Sequence, residues 1–312
     1  MKPNCYLHAL SSYVPAEVLT NDDLSKLVET NDEWITTRTG IKRRHRLPQE
    51  ENASDLGTHA ARKALEDAGL DAAKLTHILT ATCTPDHLSP SLSCIIGGNI
   101  GAGPAMSFDF GSACSGFLYG LHLADALLCQ DPASQILFVC TEALTRRVNW
   151  SDRSTCVLFG DGAGAAVFEA VPNVPFASLQ GARGGKAILA NGPGPLAPRL
   201  TMDGRAVFRF AVEAIPRCID GILTQTHLTL NDIDWVVCHQ ANERILDHCI
   251  KKLHAPAEKF YKNMARYGNT SAASIPIALD EMNEQGLLKP GQTLLCVGFG
   301  GGLTWAAALF TL

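Results

Sequence analysis

One offset constrains this chain more than any other feature: shifted by 158 positions, one half of the sequence falls on the other. Leu70 lands on Leu228, Leu75 on Ile233, Ile78 on Val236, Ile136 on Leu294 and Val139 on Val297. Under the same shift Gly111-Ser112-Ala113-Cys114-Ser115 lands on Asn269-Thr270-Ser271-Ala272-Ala273. Apolar runs often coincide by chance, but here separate elements agree on one shift without a gap, which reads as an internal duplication. A period this long repeats a domain and not a solenoid unit, so two similar halves, 1–170 and 171–312, are expected to meet face to face. Pro172 and the Gly- and Pro-rich stretch from Gly181 to Pro198 mark the join and a long loop.

Each half alternates strand-like and helix-like segments. Leu75–Thr82, Gln135–Cys140, Trp235–Cys238 and Thr293–Val297 read as buried strands. Ala53–Gly69 reads as a helix closed by its glycine, and Ser115–Cys129 as a helix with Phe117, Leu118, Leu121, Ala124, Leu127 and Leu128 to one side. The class is therefore α/β. A hydrophobic share of 46% excludes global disorder, and a net charge of −5 with 7% aromatics gives no footprint for nucleic acid or an anionic membrane. There is no apolar run of about 18 residues or more and no N-terminal leader pattern, so a soluble cytoplasmic protein is expected. The cysteine count, eleven, is odd; none forms a CxxC pair and several sit in apolar runs. That usage fits reduced, buried thiols and neither a disulfide framework nor a zinc site.

Four segments could carry chemistry. Gly111-Ser112-Ala113-Cys114-Ser115-Gly116 places Cys114 at the first turn of a helix, where free N–H groups and the helix dipole favour a thiolate and supply oxyanion donors. A small buried cysteine at a tight glycine turn is the plainer reading, and the motif alone leaves both open. His239 follows the run Trp235–Cys238, which delivers it to the carboxyl end of a strand, where ligands bind in α/β sheets. Gly268-Asn269-Thr270-Ser271-Ala272-Ala273-Ser274 is the counterpart of the cysteine turn; it holds good capping residues, and a pseudo-twofold axis between the halves would bring Asn269 and Cys114 to a common centre. Gly298-Phe299-Gly300-Gly301-Gly302 lets backbone approach a reacting atom closely. Gly160-x-Gly162-x-x-Ala165 fits a loose dinucleotide fingerprint, but an alternating strand-like run follows it and no acidic residue stands about 20 positions on. It reads instead as strand-turn-strand.

Taken together, these residues resemble the β-ketoacyl-acyl carrier protein synthase III family of the thiolase superfamily. The likeness is carried by Asn31-Asp32-Glu33-Trp34-Ile35-Thr36-Thr37-Arg38-Thr39-Gly40-Ile41, Asp152-Arg153-Ser154-Thr155 with Phe159–Ala166, the cysteine turn, His239-Gln240-Ala241-Asn242, Gly268–Ser274 and Phe299–Gly302, in the family's order. The resemblance implies a thiolase-like five-layered αβαβα fold built from two duplicated halves, usually a homodimer. It implies condensation of an acyl-CoA primer with malonyl-acyl carrier protein, with loss of CO₂, as the opening step of fatty acid synthesis. Cys114 would be acylated, His239 and Asn269 would bind the malonyl thioester carbonyl, and the N–H groups of Cys114 and Gly301 would form the oxyanion hole. Trp34, Arg38, Arg153, Phe208 and Asn242 would line the CoA and phosphopantetheine tunnel, with Trp34 and Arg153 sandwiching the adenine. Arg209, Arg244, Lys251 and Lys252 would receive the acidic carrier protein. Ser89 and Phe299 would belong to the acyl pocket. The implied chemistry needs no cofactor and no metal, since the CoA thioesters are substrates.

Two departures stand out. Ser89 occupies a position, reached across the dimer, where relatives that use small primers often carry a large aromatic, and this predicts a roomier pocket that accepts primers longer or more branched than acetyl. The region from Gly181 to Leu200 looks short and lacks the family's usual acidic and aromatic residues. Two alternatives keep the same residues: a related condensing or acyl-transfer enzyme of secondary metabolism, and a cysteine thioester hydrolase. A hydrolytic triad is the less natural, because asparagine cannot take a proton.

Overall fold

The computed structural model describes residues 3–190 and 200–312. Two sheets organise it. The first runs β1 (Pro3–Tyr13), β7 (Gly162–Pro172), β6 (Ile136–Glu142), β4 (His77–Ala81), β5 (Met106–Phe110). The second runs β8 (Phe176–Ala182), β13 (Thr304–Thr311), β12 (Thr293–Gly300), β11 (Trp235–Cys238). The chain passes from one sheet to the other between Pro172 and Phe176. β2 (Val18–Thr20) with β3 (Arg43–His45), and β9 (Ile188–Ala190) with β10 (Leu200–Met202), form short ribbons. A fifth strand is reduced in the second sheet to one parallel bridge, Val236 to Phe260.

The 158-residue offset survives as register. β4 pairs parallel with β6 from His77–Ile136, and β11 with β12 from Trp235–Leu294. Each residue of the second pair lies 158 beyond its counterpart in the first. The offset fails where the two halves are built differently: Gly300 and Thr304 are joined by one turn, whereas Glu142 and Gly162 are joined by a long segment carrying the short helix α6 (Arg153–Cys156). That helix, and not a strand, precedes Gly160-Asp161 and the start of β7 at Gly162, which corrects the first strand of the strand-turn-strand reading.

Helices fill three layers. α3 (Ala53–Ala68) and α4 (Leu92–Ile100) cover the outer face of the first sheet; α7 (Gly204–Thr226) covers that of the second, with α8 (Glu243–Leu253) against it. α5 (Gly116–Gln130) and α10 (Ser274–Glu284) lie between the sheets and touch both, giving α, β, α, β, α. The side chains follow: α3 buries Leu56, Ala60, Ala61, Ala64 and Leu65, α5 buries Phe117, Leu118, Leu121, Ala124 and Leu128, and α10 buries eight of its eleven residues. Gly120 lets α5 settle on Phe138, whose ring would lie 2.1 Å from an added Cβ. Of three further short helices, α1 (Asn21–Ser25) packs against α2 (Asp32–Thr39) and β2, α2 also meets α8, and α9 (Met264–Tyr267) packs against β3. Among the described residues no helix is long and apolar enough to cross a membrane, and no cluster of three or more His, Cys, Asp or Glu is placed to hold a metal.

Candidate active site

The starts of the two central helices are near-copies. A 3₁₀ turn, Ala113–Ser115, leads into α5, and its counterpart, Ser271–Ala273, leads into α10. Their first residues, Ala113 and Ser271, both take left-handed backbone, φ 47° and 50°, which L side chains rarely adopt. Between these turns and the carboxyl ends of β11 and β12 lies a cavity of about 510 Å³, lined by Cys114, His239, Asn269, Phe208, Asn242 and Phe299 among others.

Cys114 sits in the turn before the helix and is 7% exposed. Gly300 packs directly on it: an added Cβ would lie 2.8 Å from the Cys114 nitrogen, so only glycine fits. Gly301 lines the cavity beside Ala113, while the closest backbone approach to Cys114 is made by Gly300. The expected acidic thiol is not found. Burial pushes the Cys114 thiol up to about 12 and the buried Glu142 adds to this, while the Ser271 hydroxyl opposes it. Desolvation of the buried sulfur outweighs the hydrogen bonds that favour a thiolate.

His239 is 1% exposed at the end of β11. Its N–H donates to the Val297 carbonyl (2.8 Å), its Nδ1 meets the Ser274 hydroxyl (2.7 Å), and Phe299 stands edge-on to the ring at 5.3 Å. Burial pulls its pKa down to about 3, so the resting ring is neutral. With Nδ1 engaged, Nε2 is the nitrogen left for chemistry. Asn269 is gripped through its backbone: its N–H donates to Leu158 O (2.8 Å) and its carbonyl accepts from Gly160 N–H (3.0 Å). Its Oδ1 accepts from Ser271 N–H (2.9 Å), shaping the 3₁₀ turn; α10 itself has Ala273 at its N-cap, with no side-chain cap. Among the described residues no protein group accepts from the Asn269 amide nitrogen.

The remaining candidates divide. Asn242 caps α8, accepting from Arg244 N–H (2.9 Å), and its Nδ2 donates to Arg38 O (3.1 Å), tying α2 to the cavity wall. Phe208 lines the cavity from α7. Trp34, Arg38 and Arg153 are outside the lining but meet one another: the guanidinium carbons of Arg38 and Arg153 lie 4.8 and 4.6 Å from the Trp34 ring centre. Arg153 also donates to Glu29 O (2.7 Å). A base sandwiched between Trp34 and Arg153 would need two stacking distances, about 7 Å, so the expected sandwich is closed as the structure stands. Arg209, Arg244, Lys251 and Lys252 are exposed on α7 and α8, with Lys252 donating to Val212 O (3.3 Å). Ser89 is exposed beside the cis Ser89–Pro90 bond and lies outside the cavity of its own subunit. Of the Gly181–Leu200 region, residues 191–199 lie outside the described residues; Ile188, Ala190, Leu200 and Met202, which flank them, line the cavity.

Sequence reasoning missed Ser274, Ser271, Cys83 and Glu142. Cys83 lines the cavity, and fully buried Glu142 accepts from Cys83 N–H and Thr84 Oγ1 at 3.0 Å each, its pKa pushed up to about 7 by burial. Only the two serines carried a signal, by falling inside the turn that the offset matches to the cysteine turn.

Residues 223–312 match the C-terminal model of 3-oxoacyl-[acyl-carrier-protein] synthase III, and residues 108–182 match that family's other model. A β-ketoacyl-[acyl-carrier-protein] synthase III of Nitratidesulfovibrio vulgaris (Miyazaki F) is 46% identical, over 98% of this chain and 97% of that protein. The enzyme of the same name from Oleidesulfovibrio alaskensis is 44% identical over 99% of both. The crystal structure of 3-oxoacyl-[acyl-carrier-protein] synthase III from Aquifex aeolicus superposes with a TM-score of 0.94 at 39% identity, over 99% of this chain and 100% of that one. With near-complete coverage in both sequence and fold, this chain belongs to the β-ketoacyl-[acyl-carrier-protein] synthase III family of thiolase-fold condensing enzymes.

Proposed function

We propose that the protein primes fatty acid synthesis by condensing an acyl-CoA with malonyl-acyl carrier protein, with Cys114 as nucleophile and His239 and Asn269 as donors to the malonyl thioester carbonyl. The observation that carries this reading is the convergence of those three side chains, from both halves of the chain, on one cavity in which the histidine is neutral. In the first step Cys114 sulfur attacks the acyl-CoA carbonyl, its proton passes to Nε2 of His239 and from there to the departing sulfur, and CoA leaves as the thiol. With a thiol near 12 and an imidazole near 3, no ion pair waits in the resting site. The thiolate forms only as substrate arrives, and the acyl oxyanion is met by the N–H groups of Cys114 and Gly301.

In the second step the malonyl C–C bond breaks, CO₂ departs, and its electron pair becomes an enolate on the thioester. The His239 Nε2–H and the Asn269 amide hold the oxygen as its charge develops, which favours the transition state over the bound substrate. The enolate carbon then attacks the acyl-Cys114 carbonyl, releasing the β-ketoacyl thioester and the Cys114 thiolate, and one proton taken up from solvent restores the thiol. His239 therefore needs a lone pair on Nε2 first and a proton there later. A serine hydroxyl accepts from Nδ1–H or donates to bare Nδ1 equally well, so Ser274 supports both tautomers, which a carboxylate partner would not.

Trp34, Arg38, Arg153, Phe208 and Asn242 bind CoA and pantetheine in this reading, with Arg153 swinging off the indole to admit the adenine, and Arg209, Arg244, Lys251 and Lys252 receive the acidic carrier. Phe299 lines the acyl pocket, and Ser89 reaches it from a second copy in a homodimer. The enzyme works in the cytoplasm with thioester substrates and no cofactor. Mixing the protein with acyl-CoAs of increasing length and reading intact mass tests this: a stable acyl adduct that Cys114→Ala abolishes is expected, and rapid turnover to free acid would instead establish the hydrolase alternative.

A further inference from the structure

The chain buries one arginine completely. Arg44, in β3, is 0% exposed, and its guanidinium is held by neutral oxygens: Nη1 donates to Leu19 O (3.2 Å) and Asn21 Oδ1 (2.9 Å), Nη2 to Val157 O (2.7 Å). Among the described residues no carboxylate pairs with it. A dry, unpaired cation is costly to maintain, and burial lowers its pKa only to about 10, so the charge persists at neutral pH.

Its contacts lead in two directions. Val157 O opens the segment whose Leu158 carbonyl and Gly160 N–H grip the Asn269 backbone. The stem of Arg44 fills the space beneath that grip: its Cβ lies 3.0 Å from the position of a Cβ on Gly160 and 3.2 Å from one on Gly268, the residue before Asn269. On the other side Asn21 donates to Asp32 Oδ1 and Ile41 O, both at 2.8 Å, which anchors the start of α2, the helix of Trp34 and Arg38. The strand is stitched in place as well, with Lys42 N–H donating to Ala265 O (3.1 Å) and Asp161 N–H to His45 O (3.0 Å). None of these bonds reaches the Ala113–Ser115 turn.

We infer that Arg44 is a positioning residue for the second half-reaction: it fixes Asn269 against the reacting carbonyl and links that turn to helix α2, while leaving the turn of the nucleophile untouched. The inference rests on the reading of Asn269 given above. It separates two steps that a general loss of structure would depress together. Arg44→Lys keeps the charge but not the fork that spans three oxygens. Gly268→Ala strikes the same grip independently, since its Cβ would lie 2.8 Å from Leu158 O at a φ of +67°.

Both variants are to be compared with the wild type in single-turnover acylation of Cys114, read by intact mass, and in CO₂ release at saturating malonyl-acyl carrier protein. Acylation is expected to stay within about threefold of wild type. Decarboxylation is expected to fall about 10- to 100-fold, in kcat and not in KM for the malonyl substrate, as a misplaced donor predicts. Parallel loss in both steps, no loss in the second, or an effect confined to KM overturns the inference. If Arg44→Lys fails to fold, Gly268→Ala alone decides. A wild type that forms no Cys114 adduct counts against the proposed function and not against this role for Arg44.

Discussion

Removing the Ser274 hydroxyl tests the site most sharply, because it leaves the nucleophile and both carbonyl donors in place. In the native site that hydroxyl meets Nδ1 of His239 at 2.7 Å, in a pocket where the ring is 1% exposed. Ser274→Ala leaves the buried Nδ1 without its hydroxyl partner. A buried polar group left unsatisfied costs about 1–3 kcal/mol, which is a factor of about 5 to 150 in rate when the ring orientation matters in the transition state. In the proposed cycle His239 takes a proton in acylation and offers one in decarboxylation, so both half-reactions should slow within that range, measured as CoA release from an acyl-CoA and CO₂ release from the malonyl substrate. Ser274→Thr, which keeps a hydroxyl, should lose far less. If Ser274→Ala stays within about twofold of wild type in both steps, or if threonine is as damaging as alanine, tautomer support by this hydroxyl is refuted.

Because burial places the Cys114 thiol near 12, its alkylation by iodoacetamide should rise about tenfold per pH unit from 7 to 10; a plateau near pH 8 would show an activated thiolate instead. Glu142 is held near 7 in the fold against an ordinary value of 4.5. Between those values only the folded state keeps the proton, so its contribution falls as pH rises, by about 3 kcal/mol in all. His239, held near 3, acts with the opposite sign below 6.5. Urea unfolding of wild type against Glu142→Gln at pH 4.5 and pH 8 isolates the carboxyl, and an unchanged difference between the two pH values would count against it. Trp34→Ala should raise the KM for acyl-CoA about tenfold, at a stacking energy of about 1–3 kcal/mol, with kcat nearly intact; a fall confined to kcat would place Trp34 elsewhere in the cycle. If Ser89 opens the acyl pocket, butyryl- and isobutyryl-CoA should prime as well as acetyl-CoA or better, and a clear acetyl preference removes that reading.

How much of this was legible beforehand depended on whether a residue's role is local. The strands β4, β6, β11 and β12 stand out in the sequence as apolar runs, and the common offset between them recurs in their parallel registers, which the sequence alone does not give. The fold class and the pairing of the two turns followed. The sign of the Cys114 shift was misread because a helix start is visible in sequence and the dryness of its surroundings is not. Arg44 gave no signal, and Ser274 showed only as part of a matched turn, for a related reason: a buried arginine held by neutral oxygens and a serine behind a histidine depend on partners far away in the chain. Arg153 shows the limit of a motif: Trp34, Arg38 and Arg153 do come together, but Arg153 lies on the indole, which no spacing in the sequence reveals.

The matched kinks at Ala113 and Ser271 make the floor of the site almost symmetric in backbone and wholly asymmetric in chemistry. A bound molecule meets the same peptide geometry from either side, with sulfur on one and hydroxyl and amide groups on the other. Its orientation is therefore decided by side chains alone. A symmetric electrophile would find one reactive wall and one hydrogen-bonding wall, and a reversible ligand that respected the pseudo-twofold axis would be free to bind in two directions unless one end preferred a thiol.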